Sequence, residues 1–564
     1  MKKYLLFLFV LLPMVSVAQS EIPYLKDGQL MVDGKPYIML AGELHNSSTG
    51  SLQSMEGLWE KVSAHHVNTV IAAASWELCE PEEGQFDFTL VDAMIEGARN
   101  ADLKLVLIWF GSWKNGTSTY VPSWVKTDQK RFPLARTLKG RKLNALSALS
   151  ENAKKADARA FAALMRHLRE IDGQEHTVLM VQVENEMGTL RDNPDPSDRA
   201  SRDFSPMAQR AFKGQIPKAL LQYLHSHEDS LHPALSNAWK SQGKRMKGTW
   251  EEVFGLAVDN RSISWKESYP YLSDELFNAW NYASYVGYVA SAGKKEYPLP
   301  MFVNDWLKQR GQEEPGRYPS GAAQPHVFDI WKAAAPAIDF YAPDIYSVDE
   351  FDWVLQSHAF GGNPLFIPET DGSSIGASRA LYAFGNYPLM GYSPFGLDGG
   401  VGLSVPENDA SYAQVYGCLG HLLPEMLHCR KTGHLSGLFA DREHPTVESE
   451  IDGVRLIATV ESPYGRMLDL IGTAVEGSAA STCPLGVLVM QLDKYDYLIV
   501  GGVGEGWVRF EKPGARLAYL SVDRIDYSEQ GNPMPHRLNG DEIYMDLSFP
   551  EGRATVYHVK LYEL

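Results

Sequence analysis

Cysteine is scarce in this chain: Cys79, Cys418, Cys429 and Cys483 are all there is among 564 residues. So few, so far apart, exclude a disulfide framework and match no zinc-binding spacing. Buried free thiols are expected, with a Cys418–Cys429 bridge the alternative. Positive charge is also short. Lys and Arg number 52 against 70 Asp and Glu, a net charge of −18, which argues against nucleic acid or an anionic membrane surface as partner. Long apolar runs are missing beyond the N-terminus, so no membrane insertion is expected. The first apolar run that reads as a strand leads into "AGELHNSS" (41–48). It lacks the glycine pattern of a dinucleotide-binding turn.

What is present begins with "MKKYLLFLFVLLPMVSVAQS". Two lysines, a short apolar stretch from Leu5 to Val15 and small residues at Ser16 and Ala18 form the layout of a signal peptide spanning residues 1–18. The expected product is an exported protein, periplasmic or secreted, beginning near Gln19 and carrying no lipid. With 44% hydrophobic and 11% aromatic residues, the remainder can fill more than one core.

Eight apolar runs recur along residues 22–425, most followed by residues at helical spacing: 37–45, 67–76, 103–113, 176–188, 298–306, 337–347, 363–370 and 389–396. Apolar strands alternating with helices imply parallel pairing with both faces covered. Eight such units predict a (β/α)₈ TIM barrel, with a doubly wound open sheet as the alternative. A long insertion is expected at about 190–275, rich in Trp239, Trp250, Phe254 and Trp265. Those aromatics either form outer binding surfaces or hold the insertion together. From residue 430 to 564 short alternating strands with Gly, Pro, Asn and Asp turns predict an antiparallel β-sandwich.

Polar and aromatic groups gather where the runs end: His45, Trp76 to Glu80, Trp113, Glu186, Asp305 and Trp306, Tyr346, Glu369. In a barrel, that end is where chemistry is built. "VQVENEMG" (181–188) places two carboxylates and an amide there, although burying an unpaired carboxylate costs several kcal/mol. Strand alternation puts Gln182, Glu184 and Glu186 on one face. Glu184 is then the deeper, structural acid and Glu186 the one at the mouth. Glu369 closes "LFIPET" in the same manner. Two carboxylates facing each other across a barrel mouth are what glycoside hydrolysis requires.

"GELHNSS", "WELCEPEEGQFDF", "VPSWV" and "VQVENEMG" are similar, in this order, to segments of family 35 glycoside hydrolases, the β-galactosidase family within the clan A retaining glycosidases. The resemblance covers roughly residues 30–420. It implies Glu186 as acid/base, Glu369 as nucleophile and Asn185 on the sugar 2-hydroxyl, with no cofactor or metal. The implied activity is a retaining, exo-acting β-galactosidase whose carbohydrate substrate is a plant-type oligo- or polysaccharide. The alternatives are a clan relative for another β-linked sugar and a catalytically inactive carbohydrate-binding protein. The pattern departs at "FGSWKNG": where many members carry Ala-Glu-Trp after the third strand, this chain has Gly111 and Ser112 before Trp113. Glu80, Glu43 and Asn115 are the candidates to bind sugar hydroxyls instead.

Other residues carry two readings each. Tyr346 either hydrogen-bonds the nucleophile or is a core tyrosine. His45 binds substrate or caps the strand end. Trp76, Trp109 and Trp113 include a sugar-stacking platform or pack the core, and Trp306 is a further substrate-binding candidate at its strand end.

Overall fold

The computed structural model describes residues 21–256, 264–346, 350–400, 402–461, 483–528, 530–543 and 546–564. The signal-peptide segment lies outside them. Eight parallel strands form one sheet: β1 (Met39–Glu43), β2 (Thr69–Ser75), β3 (Lys104–Lys114), β4 (Val178–Asn185), β5 (Met301–Trp306), β6 (Phe340–Asp344), β7 (Leu365–Thr370) and β8 (Leu389–Pro394). Their order is β6-β5-β4-β3-β2-β1-β8-β7. A parallel bridge between Ile345 and Thr370 joins the two ends, with the Ile345 amide donating to the Glu369 carbonyl at 2.9 Å. The sheet is therefore a closed barrel, and the open doubly wound alternative is excluded.

The barrel interior is packed by Val106, Ile108, Phe110, Met180, Phe302, Phe340, Phe366 and Met390. Below them sit Leu30 and Val32 from three short antiparallel strands within Tyr24–Pro36. That small sheet caps the end of the barrel opposite the strand termini. Its two- to four-residue strands were too short to show as an apolar run.

Helices cover the outside because their apolar residues recur at three- and four-residue spacing. α1 (Glu151–Asp172) buries Ala153, Ala160, Phe161, Leu164, Met165 and Leu168 on one stripe. Its N-terminus is capped by Ser150, whose hydroxyl accepts from the Ala153 amide. α2 (Leu272–Glu296) packs along α1 and is buried on most of its surface, because the insertion covers its outer side. There Trp239 and Trp250 are buried, and Trp250 lies 5.6 Å from Phe277 of α2. Trp250 thus holds the insertion to α2, while Trp239 donates its Nε1 to the Arg245 carbonyl and holds the insertion together. None of the described helices is long and apolar enough to cross a membrane.

The last helix before the β-rich half ends at Thr432. Six antiparallel strands, ordered Leu435–Ala440, Leu485–Asp493, Asp496–Gly502, Thr555–Glu563, Leu517–Tyr527 and Pro533–Leu538, face a four-stranded sheet. Leu438, Leu456, Val487, Val489, Ile499, Val508, Phe549 and Val559 fill the space between. The six-stranded sheet is buried on its other side too, since Leu488, Met490, Val500 and Val556 belong to the barrel's own apolar cluster. α3 (Ser374–Asn386), which follows β7, makes that contact. A Cβ on Gly385 would lie 2.4 Å from the Gly437 amide nitrogen, and one on Gly486 would lie 2.0 Å from the Ser378 carbonyl oxygen. Helix and sheet thus touch backbone to backbone, which only glycine permits. Cys418 and Cys429 do not form the bridge that was the alternative, and Cys79 and Cys429 are buried thiols.

Candidate active site

The carboxyl ends of β4, β5, β6 and β7 meet in one cluster. One oxygen from each of Glu186, Asp344 and Glu369 lies within 4.8 Å of the others. Asn304, at the end of β5, ties them together. Its Oδ1 accepts from the Glu186 amide at 2.9 Å, and its Nδ2 donates to Asp344 Oδ2 at 2.8 Å and to Glu369 Oε1 at 3.2 Å. Asn185 Nδ2 also donates to Glu369 Oε1, at 3.2 Å, and the Tyr346 hydroxyl donates to Glu369 Oε2 at 2.9 Å. Three donors thus converge on one buried carboxyl. Of the two readings of Tyr346, the structure selects the contact with Glu369.

Glu186 differs from its neighbour. Burial, reinforced by the charge of Glu369, raises its pKa to about 7, with Lys114 working in the opposite direction. Asn115 Nδ2 donates to its Oε2 at 2.5 Å. Two carboxyls side by side thus sit in different surroundings, Glu186 poised to hold a proton near neutral pH and Glu369 held by three hydrogen-bond donors.

Sequence reasoning did not single out Lys114, Asp344 or Asn304. Lys114 ends β3 with its ammonium 5.4 Å from the Phe110 ring centre, over the barrel core. Burial works against that ammonium, but the charges of Glu369, Glu186, Glu43 and Asp344 outweigh it and raise the lysine pKa. Burial and then Glu369 push Asp344 well above the usual carboxylate range. The signal for all three was their position at a strand end, which the aromatic and glutamate residues beside them obscured.

Glu184 and Glu186 do not share a face. Glu184 has φ +66° and Glu186 φ +42°, both in the left-handed region, and the β3–β4 register slips between Trp109–Val183 and Lys114–Asn185. Alternation therefore breaks. Glu184 turns out toward the helices, while Asn185 and Glu186 both reach the mouth. Behind the wall, Glu184 Oε2 accepts from the Trp113 amide at 2.7 Å, and its carboxyl meets that of Asp157 on α1. Asp157 in turn accepts from Trp109 Nε1 at 2.9 Å, the Ser112 hydroxyl at 2.6 Å and the Tyr285 hydroxyl at 3.3 Å. Two carboxyls meet in this way only when one keeps a proton. Burial, then Asp157, raises Glu184 well above the normal value. Gly111 makes room for this network: a Cβ there would fall 2.4 Å from Trp109 Nε1 and 2.8 Å from Glu184 Oε1.

Two sequence expectations are corrected. Glu80 does not reach the mouth. It is fully buried, accepting from Trp76 Nε1 at 2.8 Å and the Gly84 amide at 2.7 Å, and pairing with Arg159 at 2.6 Å. A strand-end carboxylate so fully engaged braces the turn after β2. Trp113 is not a stacking platform. Its ring is buried at 4.8 Å from Tyr282 and 4.6 Å from Tyr285, both on α2, and its Nε1 donates to the Leu146 carbonyl. The slipped register turns it toward the helices. Trp76 and Trp109 are buried as well.

His45 stands at the rim with Nδ1 2.8 Å from Asp398 Oδ1 and Nε2 2.7 Å from the Ser404 hydroxyl. Trp306 ends β5 half-buried, its carbonyl accepting from Gln324 at 2.8 Å. Glu43, at the end of β1, is 1% exposed, and neither of its carboxyl oxygens has a hydrogen-bond partner among the described residues.

Residues 49–240 match a glycosyl hydrolase family 42 model described as β-galactosidase, and residues 412–549 match a domain of unknown function, DUF5597. The matching model is that of family 42, where the motifs resembled family 35. A curated β-galactosidase of Xanthomonas manihotis is 30% identical over 172 residues, 29% of this chain and 26% of that protein. The chain thus matches about a quarter of that relative's length. Among solved structures, the β-galactosidase from Bacillus circulans sp. alkalophilus aligns with a TM-score of 0.48 at 11% identity, covering 93% of this chain and 99% of that one. The β-galactosidase from the psychrophilic Marinomonas ef1 aligns with a TM-score of 0.44 at 12% identity, covering 70% and 60%.

Proposed function

We propose that this protein is a retaining glycoside hydrolase that releases terminal β-galactosyl units from plant-type oligo- or polysaccharides. The observation that carries this reading is the Glu186–Glu369 pair, with one oxygen of each within 4.8 Å. Retention by a covalent intermediate calls for carboxyl groups about 5–5.5 Å apart, while inversion needs about 6.5–9.5 Å to admit a water. Glu369, held by the donors from Asn185, Asn304 and Tyr346, attacks the anomeric carbon. Glu186, with a pKa raised to about 7, donates its proton to the departing oxygen and then takes one from water. Asn185 keeps its Oδ1 without a partner among the described residues, free for the sugar 2-hydroxyl.

Galactose as the sugar is supported by the family match and by the curated relative. Placement within family 35 rests on the quoted motifs. Exo action is supported by burial of the pair, at 5% and 4% exposure, which suits a pocket taking a chain end. The leader-like N-terminus favours export.

Azide tests the roles. With an activated aryl β-galactoside, Glu186→Ala retains glycosylation but lacks its base, and azide should restore turnover through a β-galactosyl azide. Glu369→Ala should be inactive, with azide attacking from the vacated face to give the α product. Products of exchanged configuration would reverse the assignment. No turnover of any aryl glycoside by the intact protein would favour a carbohydrate-binding role.

A further inference from the structure

Glu43 is a polar side chain at the barrel mouth that the reaction does not use. Its carboxyl is almost fully buried at the end of β1, and both of its oxygens lack a partner among the described residues. Leaving a buried polar group unpaired costs about 1–3 kcal/mol, more for a charged one, so such a group points to a ligand. Glu43 ends β1 at the barrel end where Glu186 and Glu369 close β4 and β7; burial and then the charge of Glu369 push its carboxyl well above the usual range, with Lys114 working against them. Lys114 stands at the end of β3, held over the Phe110 ring. It is the cation named among the charges acting on Glu43 and on Glu186.

The arrangement of strands says which part of a sugar this pair would meet. The anomeric carbon must lie between Glu186 on β4 and Glu369 on β7, and Asn185 with Glu369 occupies the side of the 2-hydroxyl. Glu43 and Lys114 stand on the β1–β3 arc, which supplies neither of the reacting carboxyls. An acceptor at the end of β1 and a cationic donor at the end of β3 can together satisfy both the proton and a lone pair of one hydroxyl placed between them. A sugar carboxylate would fare badly there, stripped of water among the buried carboxyls of Glu43, Glu186, Asp344 and Glu369 with Lys114 to offset its charge.

We propose that Glu43 and Lys114 together grip a hydroxyl of the terminal sugar at C3, C4 or C6, and that this pair selects a neutral pyranose over a uronic acid. The inference rests on the glycosidase reading above. It assigns to β1 and β3 the recognition that the Gly111–Ser112 departure leaves open.

The test combines Glu43→Gln and Lys114→Met with aryl β-galactosides lacking the hydroxyl at C3, C4 or C6 in turn. Glu43→Gln keeps volume and breaks no internal hydrogen bond, so it should fold, and a melting curve matching the parent confirms it. On the complete substrate each variant should lose about 10²-fold in kcat/KM, the range for a charge-assisted hydrogen bond. On the one deoxy substrate missing the gripped hydroxyl, parent and variants should agree within about threefold. The aryl β-galacturonide should be turned over far more slowly than the galactoside by the intact protein. Equal variant-to-parent ratios on all three deoxy substrates would overturn the assignment, because a structural role cannot distinguish them. Efficient galacturonide turnover would overturn the neutral-sugar claim. A separate measurement isolates the underlying reading: a 2-deoxy-2-fluoro-β-galactoside with a dinitrophenyl leaving group should label Glu369 of the parent. No label overturns both, whereas a label with equal ratios overturns the Glu43–Lys114 assignment alone.

Discussion

Replacing Glu184 tests whether the buried pair behind β4 shares a proton. Glu184→Gln keeps an acceptor for the Trp113 amide, 2.7 Å away, and supplies the Asp157 carboxylate with an amide donor. Its stability should fall within about 1 kcal/mol of the parent, as an isosteric exchange that leaves no group unpaired. Glu184→Ala strands the Trp113 amide, at about 1–3 kcal/mol, and opens a cavity worth about 1–2 kcal/mol more. A loss of about 2–5 kcal/mol should follow, with slackened support for Asn185 and Glu186 and reduced turnover. The pH dependence adds a second readout. Burial and Asp157 raise the Glu184 pKa in the folded chain, so above the ordinary carboxylate value the unfolded chain binds fewer protons than the folded one. The parent therefore loses stability as pH rises through that window, by up to ~1.4 kcal/mol per unit for one proton. The E184Q protein lacks this proton, and its stability relative to the parent should improve from pH 5 to 8. Denaturant melts at several pH values and assays with an aryl galactoside measure both effects. If E184Q is as damaged as E184A, or the pH slopes coincide, the shared proton is refuted. If E184A, and not E186A, gives the azide-rescued β product, Glu184 is the acid/base.

The basic limb of kcat/KM should fall near pH 7, because Glu186 must hold its proton to protonate the leaving group and its pKa is raised to about 7. Glu186→Gln assayed on an activated substrate should lose that limb, and a limb that persists would assign it to another group. Gly385→Ala should lower the melting midpoint clearly, since its Cβ would sit 2.4 Å from the Gly437 nitrogen and force helix and sheet apart; an unchanged midpoint would show that the contact yields freely. Mass spectrometry of the exported protein should find a chain beginning at Gln19, and an intact Met1 or an acyl group would refute the leader reading.

The barrel was legible because each strand is apolar along its length and ends in polar residues, a pattern set by burial on both faces. The runs at 67–76 and 103–113 correspond to Thr69–Ser75 and Lys104–Lys114. Glu186 and Glu369 were legible for the same reason, as carboxylates directly after buried strands. Where the reading failed, regular alternation had failed first. The left-handed backbone at Glu184 and the slipped register beside it exchange the faces of Glu184, Ser112 and Trp113. Such irregularities depend on contacts with α1 and α2, which are distant in sequence. Glu80 looked like its catalytic counterparts because a carboxylate's neighbours, here Arg159 and Trp76, decide whether it is engaged or available. Lys114 was hidden by expectation: a lysine at a strand end is normally solvated, and only the surrounding acids make a buried one tolerable.

The glycine-to-backbone contact between α3 and the six-stranded sheet has an evolutionary consequence. α3 is the helix that continues the strand bearing Glu369, and it meets the C-terminal half at spacings that no side chain could bridge. A barrel with this helix cannot be detached and joined to a foreign partner, because the substitute would have to offer bare backbone at the same places. The two halves should accordingly be inherited as one piece, and recombination that separates them near residue 430 should be selected against even though the chain there looks like an ordinary joint.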